Sequence, residues 1–262
     1  MTTNSVVKIA RTILSDKGLG SQFPVDVPVL AKGERVEIRE INTSRRFDGR
    51  LELCEGTPTI FINTRGQGMD RPRVRFTLAH ELGHFFLHRR LLTPGRAFHD
   101  EDVLAEGDLA FVEREANSFA AECLLPQGLV DRFLDGAILS LGSVERLARQ
   151  AQASLQATAI RVASRTSSRC CFFFESAGAI QWMAPSDDWK EARMPWSRWR
   201  GSLPEMSHSA VDRGSFEERE VAYSCWSPNS RGRSEPLFES ALEVGGGRLV
   251  FVVDGSAEGY LE

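Results

Sequence analysis

The chain has 262 residues, of which 42% are apolar and 26% charged, and a formal net charge of −4. Those proportions predict a folded protein with a substantial core and exclude wholesale disorder, and the acidic balance argues against coating nucleic acid by bulk electrostatics. No apolar run approaches the ~20 residues of a membrane-spanning helix, and the opening MTTNSVV lacks the basic and long apolar regions of a secretory signal, so the expected setting is the cytoplasm, with no membrane partner.

In chain order, Val6, Ile9, Ala10 and Ile13 recur at helical spacing and predict a helix over Val6–Leu14, with Gly18 and Gly20 beyond its end. A short helix is expected near Val27–Ala31. Arg35–Ile41, Arg50–Leu53 and Pro58–Asn63 read as strands and together predict a small antiparallel sheet. Arg71–Arg89 predicts a long helix, because Pro72 is tolerated at a helix start and Val74, Leu78, Leu82, Phe85 and Phe86 supply a buried face. The polar stretch Thr93–Asp108 is expected to be a moving loop that borders a cleft. Leu109–Leu125 predicts a second long helix stopped by Pro126, and Gln127–Leu134, Val144–Gln150 and Leu155–Ala163 predict shorter ones.

The polar run Ser164–Arg169 reads as a linker, after which the composition changes. Cys170–Phe174 and Ile180–Met183 are strand-like and joined by a turn at Ser176–Gly178; Ser240–Val244 and Arg248–Val253 are joined by three glycines. All five tryptophans lie in this last third. The five cysteines, Cys54, Cys123, Cys170, Cys171 and Cys225, form no C-x-x-C pair and read as reduced, mostly buried residues. The expected fold class is α+β: a mostly helical part with a small antiparallel sheet over residues 1–165, then a smaller strand-rich α+β part over 166–262.

The chemistry concentrates at His80-Glu81-Leu82-Gly83-His84, an H-E-x-x-H pattern inside the first long helix. Residues i and i+4 share a helix face, so two imidazoles can meet one divalent ion. Glu81 is rotated by about 100° and suits a general base acting on a water at that ion. The bland alternative, two solvated histidines on an amphipathic helix, fits poorly with the apolar residues around them. A third ligand is needed. His88 shares the face, but eight residues of helix rise about 12 Å, so it suits a supporting role instead. The extended pattern with a third histidine is excluded, because Leu87 and Arg90 stand where it needs Gly and His. Glu113 and Glu115 of the second long helix remain. Glu113 shares a face with Ala116, Asn117, Ala120 and Leu124, a face with small residues that permit close helix packing, and it is favoured over Glu115. Asn117 is then placed to orient a neighbour, and His99 on the polar loop to sit at the rim.

The segments Arg75–His84 (RFTLAHELGH) and Glu113–Pro126 (EREANSFAAECLLP) resemble the ImmA/IrrE family of metallopeptidases, the second being similar to E-x-x-A-N-x-F-A-x-x-L-L-x-P except for Cys123. The resemblance spans roughly residues 5–165. It implies a zinc-dependent endopeptidase with His80, His84 and Glu113 as ligands and Glu81 as catalytic base, Mn²⁺ or another divalent ion being the alternative in cells. It also implies a protein substrate, a helix-turn-helix repressor of the XRE type, in a stress, DNA-damage or mobile-element response. The strand-rich tail is similar in its order of elements to the GAF-like domain of some relatives, which implies a small-molecule sensor; a docking surface for the substrate is the other reading. The segment Ser143–Ser164 resembles the last two helices of a helix-turn-helix. With Arg146, Arg149, Arg161 and Arg165 on phosphates, the protein would be a DNA-binding or ligand-sensing regulator whose metal site is not proteolytic. The acidic balance and scattered arginines favour packing helices over direct nucleic-acid binding.

Overall fold

The computed structural model describes residues 3–44, 47–93, 106–191, 203–205, 207–212, 214–226 and 236–255. The chain divides into two compact units, Met1–Leu129 with Ala148–Ser154, and Val130–Leu147 with Leu155–Glu262. Among the described residues no helix is long and apolar enough to cross a membrane.

The first unit opens with helix α1 (Thr3–Asp16), which buries Val6, Ala10 and Leu14 at a four-residue spacing, and a 3-10 turn at Val27–Ala31. Three strands follow: β1 (Glu37–Ile41), β2 (Gly49–Cys54) and β3 (Thr57–Asn63). Their order is β1-β3-β2. The β2–β3 pair is antiparallel, as expected of a tight hairpin, but β1 runs parallel to β3, so the sheet is mixed where the sequence pattern suggested an antiparallel one. The cause is the connection from β1 to β2, which passes across the end of β3. Buried Asn63 holds it there: its Oδ1 accepts from Thr43 N at 3.2 Å, and its Nδ2 donates to the carbonyls of Thr43 and Phe47, each at 3.0 Å. A buried amide must find such partners, and here the crossing backbone supplies them.

Helix α2 (Pro72–His88) starts with Pro72 in its first turn, packs on β2 and β3, and buries Val74, Leu78, Leu82 and Phe85. Helix α3 (Glu106–Leu124) begins three residues before the sequence signal and packs against both α1 and α2. Its Ala116, Phe119, Ala120 and Cys123 are fully buried, and Phe119 stacks on Phe86 with ring centroids 5.7 Å apart. Helices α4 (Gln127–Leu134) and α5 (Leu141–Ala151) follow, and α5 starts three residues earlier than its apolar spacing suggests.

In the second unit, helix α6 (Leu155–Ala163) packs on β4 (Cys170–Ser176) and β5 (Ala179–Pro185). Short helices α7 (Asp187–Glu191), α8 (His208–Val211) and α9 (Tyr223–Trp226) and strand β6 (Phe216–Val221) carried no clear sequence signal. In β6 only the terminal Phe216 and Val221 are buried, so no alternation advertises it. Strands β7 (Leu237–Val244) and β8 (Gly247–Asp254) form the expected hairpin, with Gly245 and Gly246 at φ 51° and 83°, a region costly for residues with a Cβ. The five strands form an antiparallel sheet in the order β5-β4-β8-β7-β6. Cys171, Phe173, Val250 and Val252 face Trp189 and Trp226 on one side. On the other, Phe172 stacks on Phe251 at 4.6 Å. A sheet covered on both faces explains the unbroken apolar runs of β4 and β8. The run read as a linker is held to its own unit, Arg165 by Asp131 and Arg169 by Asp254.

Candidate metal centre

Helix α2 presents His80 and His84 side by side, with rings 4.7 Å apart and Nε2 atoms 3.0 Å apart. Helix α3 brings Glu113 against both, Oε2 lying 3.3 Å from His80 Nε2 and Oε1 3.2 Å from His84 Nε2. The approach depends on Gly83. A Cβ there would meet Ala116 Cα at 3.1 Å, Ala116 O at 3.2 Å and Phe119 Cβ at 3.3 Å. A side chain at 83 would hold α3 away, and Glu113, less than one turn before Ala116, would recede with it. Three ligand atoms of His80, His84 and Glu113 lie within 4.8 Å of one another. Around a tetrahedral ion with arms of about 2.0–2.1 Å, neighbouring ligand atoms stand about 3.3 Å apart. The observed separations of 3.0–3.3 Å are of that size. Two imidazoles and one carboxylate are also a donor set suited to a divalent ion such as zinc.

Glu81 is buried beside the first residue of β2: a Cβ on Gly49 would reach Glu81 Cγ and Oε1 at 3.1 Å and overlap the Thr77 methyl. Glycine at 49 therefore lets a strand end lie against the carboxylate. Asn117 Oδ1 lies 3.0 Å from His80 Nδ1, accepting its N–H. His88 is not in the three-residue cluster. Its Nδ1 is 3.2 Å from His84 Nδ1, and its Nε2 is 2.9 Å from Glu115 Oε2. The two glutamates of α3 thus separate, Glu113 to the paired histidines and Glu115 to His88, as the helical offset of about 200° between them requires. Burial raises the Glu115 carboxyl, but hydrogen bonding, His88 included, outweighs it and holds the group below its ordinary value. His99 and residues 94–105 of the loop expected to border the cleft lie outside the described residues.

Three participants escaped the sequence reading. Gly83 had a signal, since glycine inside a helix costs about 1 kcal/mol and asks for a packing reason. Gly49 had none, being set by a contact with a residue 32 positions away. Glu115 carries the spacing of a candidate ligand, and its pairing with His88 is a contact between two helices that spacing within α3 does not reveal. Of the arginines considered for phosphate contact, Arg165 is engaged by Asp131 through two 2.7 Å bonds. The five cysteines are free thiols; burial pushes Cys170 up to about 12 and Cys225 to about 11, and raises Cys123 and Cys171 as well.

Residues 37–163 match the Peptidase_M78 family model, described as an IrrE N-terminal-like domain. A solved structure titled Mycobacterium tuberculosis transcriptional regulator superposes with a TM-score of 0.61 over 96% of this chain and 75% of that one, at 13% identity. At that identity the likeness concerns the fold alone. No curated protein matches the sequence.

Proposed function

From the match of residues 37–163 to the IrrE N-terminal-like domain of the M78 peptidases, we propose that the chain is a zinc-dependent endopeptidase of that family that cleaves a helix-turn-helix repressor of the XRE type. The observation that carries this reading is the convergence of His80 Nε2, His84 Nε2 and the Glu113 carboxylate with Glu81 buried next to them on the same helix. Those three side chains would hold the ion, and Asn117 would steady His80. When bound, the ion would supply Lewis acidity, making a water acidic enough to lose its proton near neutral pH and polarising the scissile carbonyl. Glu81 then accepts the proton of the attacking water and returns it to the leaving amine.

A polypeptide substrate is supported by β2. Among the described residues it pairs with β3 on one side only, and its first residue, Gly49, lies against Glu81. An extended chain adding as a strand to that edge would be carried toward the carboxylate. The fold neighbour carries the name of a transcriptional regulator. We assign this chain to transcriptional control too, exercised in the cytoplasm by removing a repressor under stress, DNA damage or mobile-element induction. The strand-rich unit is proposed as its sensor or docking part. A recess of ≈ 690 Å³ in that unit, lined by Leu141, Glu145, Phe216, Glu218 and Leu242 among others, supports binding of a small ligand.

The test incubates the zinc-loaded full chain with the helix-turn-helix repressor encoded beside it. Cleavage is expected, and Glu81→Gln should abolish it while leaving bound zinc in place. Intact repressor at confirmed zinc occupancy refutes the proposal. Zinc-independent, salt-dependent DNA binding would favour the regulator reading instead.

A further inference from the structure

We propose that Glu115 and His88 are positioning residues that select the tautomer of His84, so that its Nε2 presents a lone pair to the ion; the proposal rests on the metal-centre reading above. A neutral imidazole carries one N–H, and the partner of one nitrogen decides the state of the other. The Nε2 of His84 points at Glu113 and at His80 Nε2. To act as a ligand there it must be unprotonated, which puts the proton on Nδ1. That nitrogen faces His88 Nδ1 at 3.2 Å, so His88 must accept through Nδ1 and carry its own proton on Nε2. The proton on Nε2 points at Glu115 Oε2, 2.9 Å away. An ionised carboxylate only accepts, so Glu115 fixes the His88 tautomer, and His88 in turn fixes that of His84.

The reverse arrangement fails at the ion. With a proton on His88 Nδ1, His84 Nδ1 would have to accept, and its Nε2–H would then occupy the direction of the metal. His84 is fully buried and His88 and Glu115 nearly so, which removes the water that would otherwise satisfy either tautomer. The relay also accounts for a histidine two turns beyond His80, too far along the helix to share its ion.

The test measures zinc affinity of the full chain by chelator competition and records long-range ¹H–¹⁵N spectra of the histidine side chains. His88→Phe fills the space without an acceptor and should weaken zinc binding about 10- to 100-fold, the usual effect of removing a partner behind a ligand. His88→Asn places an amide oxygen near the former Nδ1 and should restore most of the affinity despite its smaller size. The wild-type spectra should place the proton on Nδ1 of His84 and Nε2 of His88, and Glu115→Leu should release the second preference. Zinc affinity of His88→Phe equal to wild type, His88→Asn no better than His88→Phe, or a wild-type His84 protonated on Nε2 overturns the relay. Failure of the metal-centre reading is separate: wild type would bind no zinc, or His84→Ala would bind it as tightly, and the relay would fall with it.

Discussion

Replacing Gly83 by alanine puts a methyl group between the two helices that carry the centre. Its three nearest atoms would lie at 3.1, 3.2 and 3.3 Å, and the first two belong to the backbone of Ala116. Relaxed carbon contacts need about 3.5–4.0 Å, so the strain cannot be relieved by turning a side chain. Helix α3 must retreat by a few tenths of an ångström. Overpacking of this kind costs about 1–3 kcal/mol, and the better helix propensity of alanine returns about 1 kcal/mol, leaving the fold weaker by about 0–2 kcal/mol. A bound ion would be less forgiving, because coordination tolerates only about 0.2 Å and Glu113 would move with α3. Zinc affinity should fall about tenfold, or about 1.4 kcal/mol. Thermal unfolding with and without zinc reads this directly. At fixed excess zinc the variant loses about 1.4 kcal/mol of ligand stabilisation, which is about 3–6 °C of the zinc-induced rise in Tm for a chain of this size. A Gly83→Ala protein with the full wild-type zinc shift would refute the argument that glycine at this position sets the distance between Glu113 and the histidines.

Gly49→Ala presses on the Glu81 carboxylate and the Thr77 methyl; the proposed repressor cleavage should slow, by up to about 100-fold for a displacement near 1 Å, while zinc affinity stays at the wild-type value, and an unchanged rate would remove the positional role of Gly49. Arg248 donates to Glu175 Oε2 at 2.7 and 3.0 Å in a buried pair and also to the carbonyls of Ser209 and Asp212, so Arg248→Met should cost about 3–5 kcal/mol in urea unfolding and the double variant with Glu175→Leu should recover only the part owed to the stranded carboxylate; an unshifted midpoint for the single variant would contradict this. The buried thiols give a pH dependence of definite sign. Cys170 and Cys225 titrate at about 12 and about 11 in the fold, against about 8.5 unfolded, so unfolding releases protons. Their contribution is intact below pH 8.5 and is lost as pH rises through 11–12, by up to about 1.4 kcal/mol per thiol per pH unit; Cys225→Ala should flatten the alkaline limb of a stability–pH curve, and an identical limb would exclude the thiol as its source. In native protein at pH 8, a thiol reagent should label half-exposed Cys54 before buried Cys123, Cys170 and Cys171, and simultaneous labelling of all would contradict their burial.

Much of the fold was legible because it is periodic. The burial of Val6 and Ala10 in α1, of Val74, Leu78 and Leu82 in α2, and the glycine turn between β7 and β8 all follow from local spacing or local backbone demands. Strand β6 was not legible, since its middle is exposed, nor was the parallel pairing of β1. That pairing depends on where a connecting segment crosses, and the crossing is held by a side chain some 20 residues away, Asn63.

At the centre the same line divides what each level decides. Helical spacing alone puts His80 and His84 on one face, His88 too far along the helix to join them, and Glu113 on the small-residue face of its own helix. Each of these follows from the rise and rotation of a single helix. Which side chains of α3 meet which of α2 is a matter of how two helices cross, and no periodicity within one helix encodes it. The contact of Gly83 with Ala116 decided it, setting Glu113 against the histidine pair and Glu115 against His88, because helices approach closest where neither carries a bulky side chain.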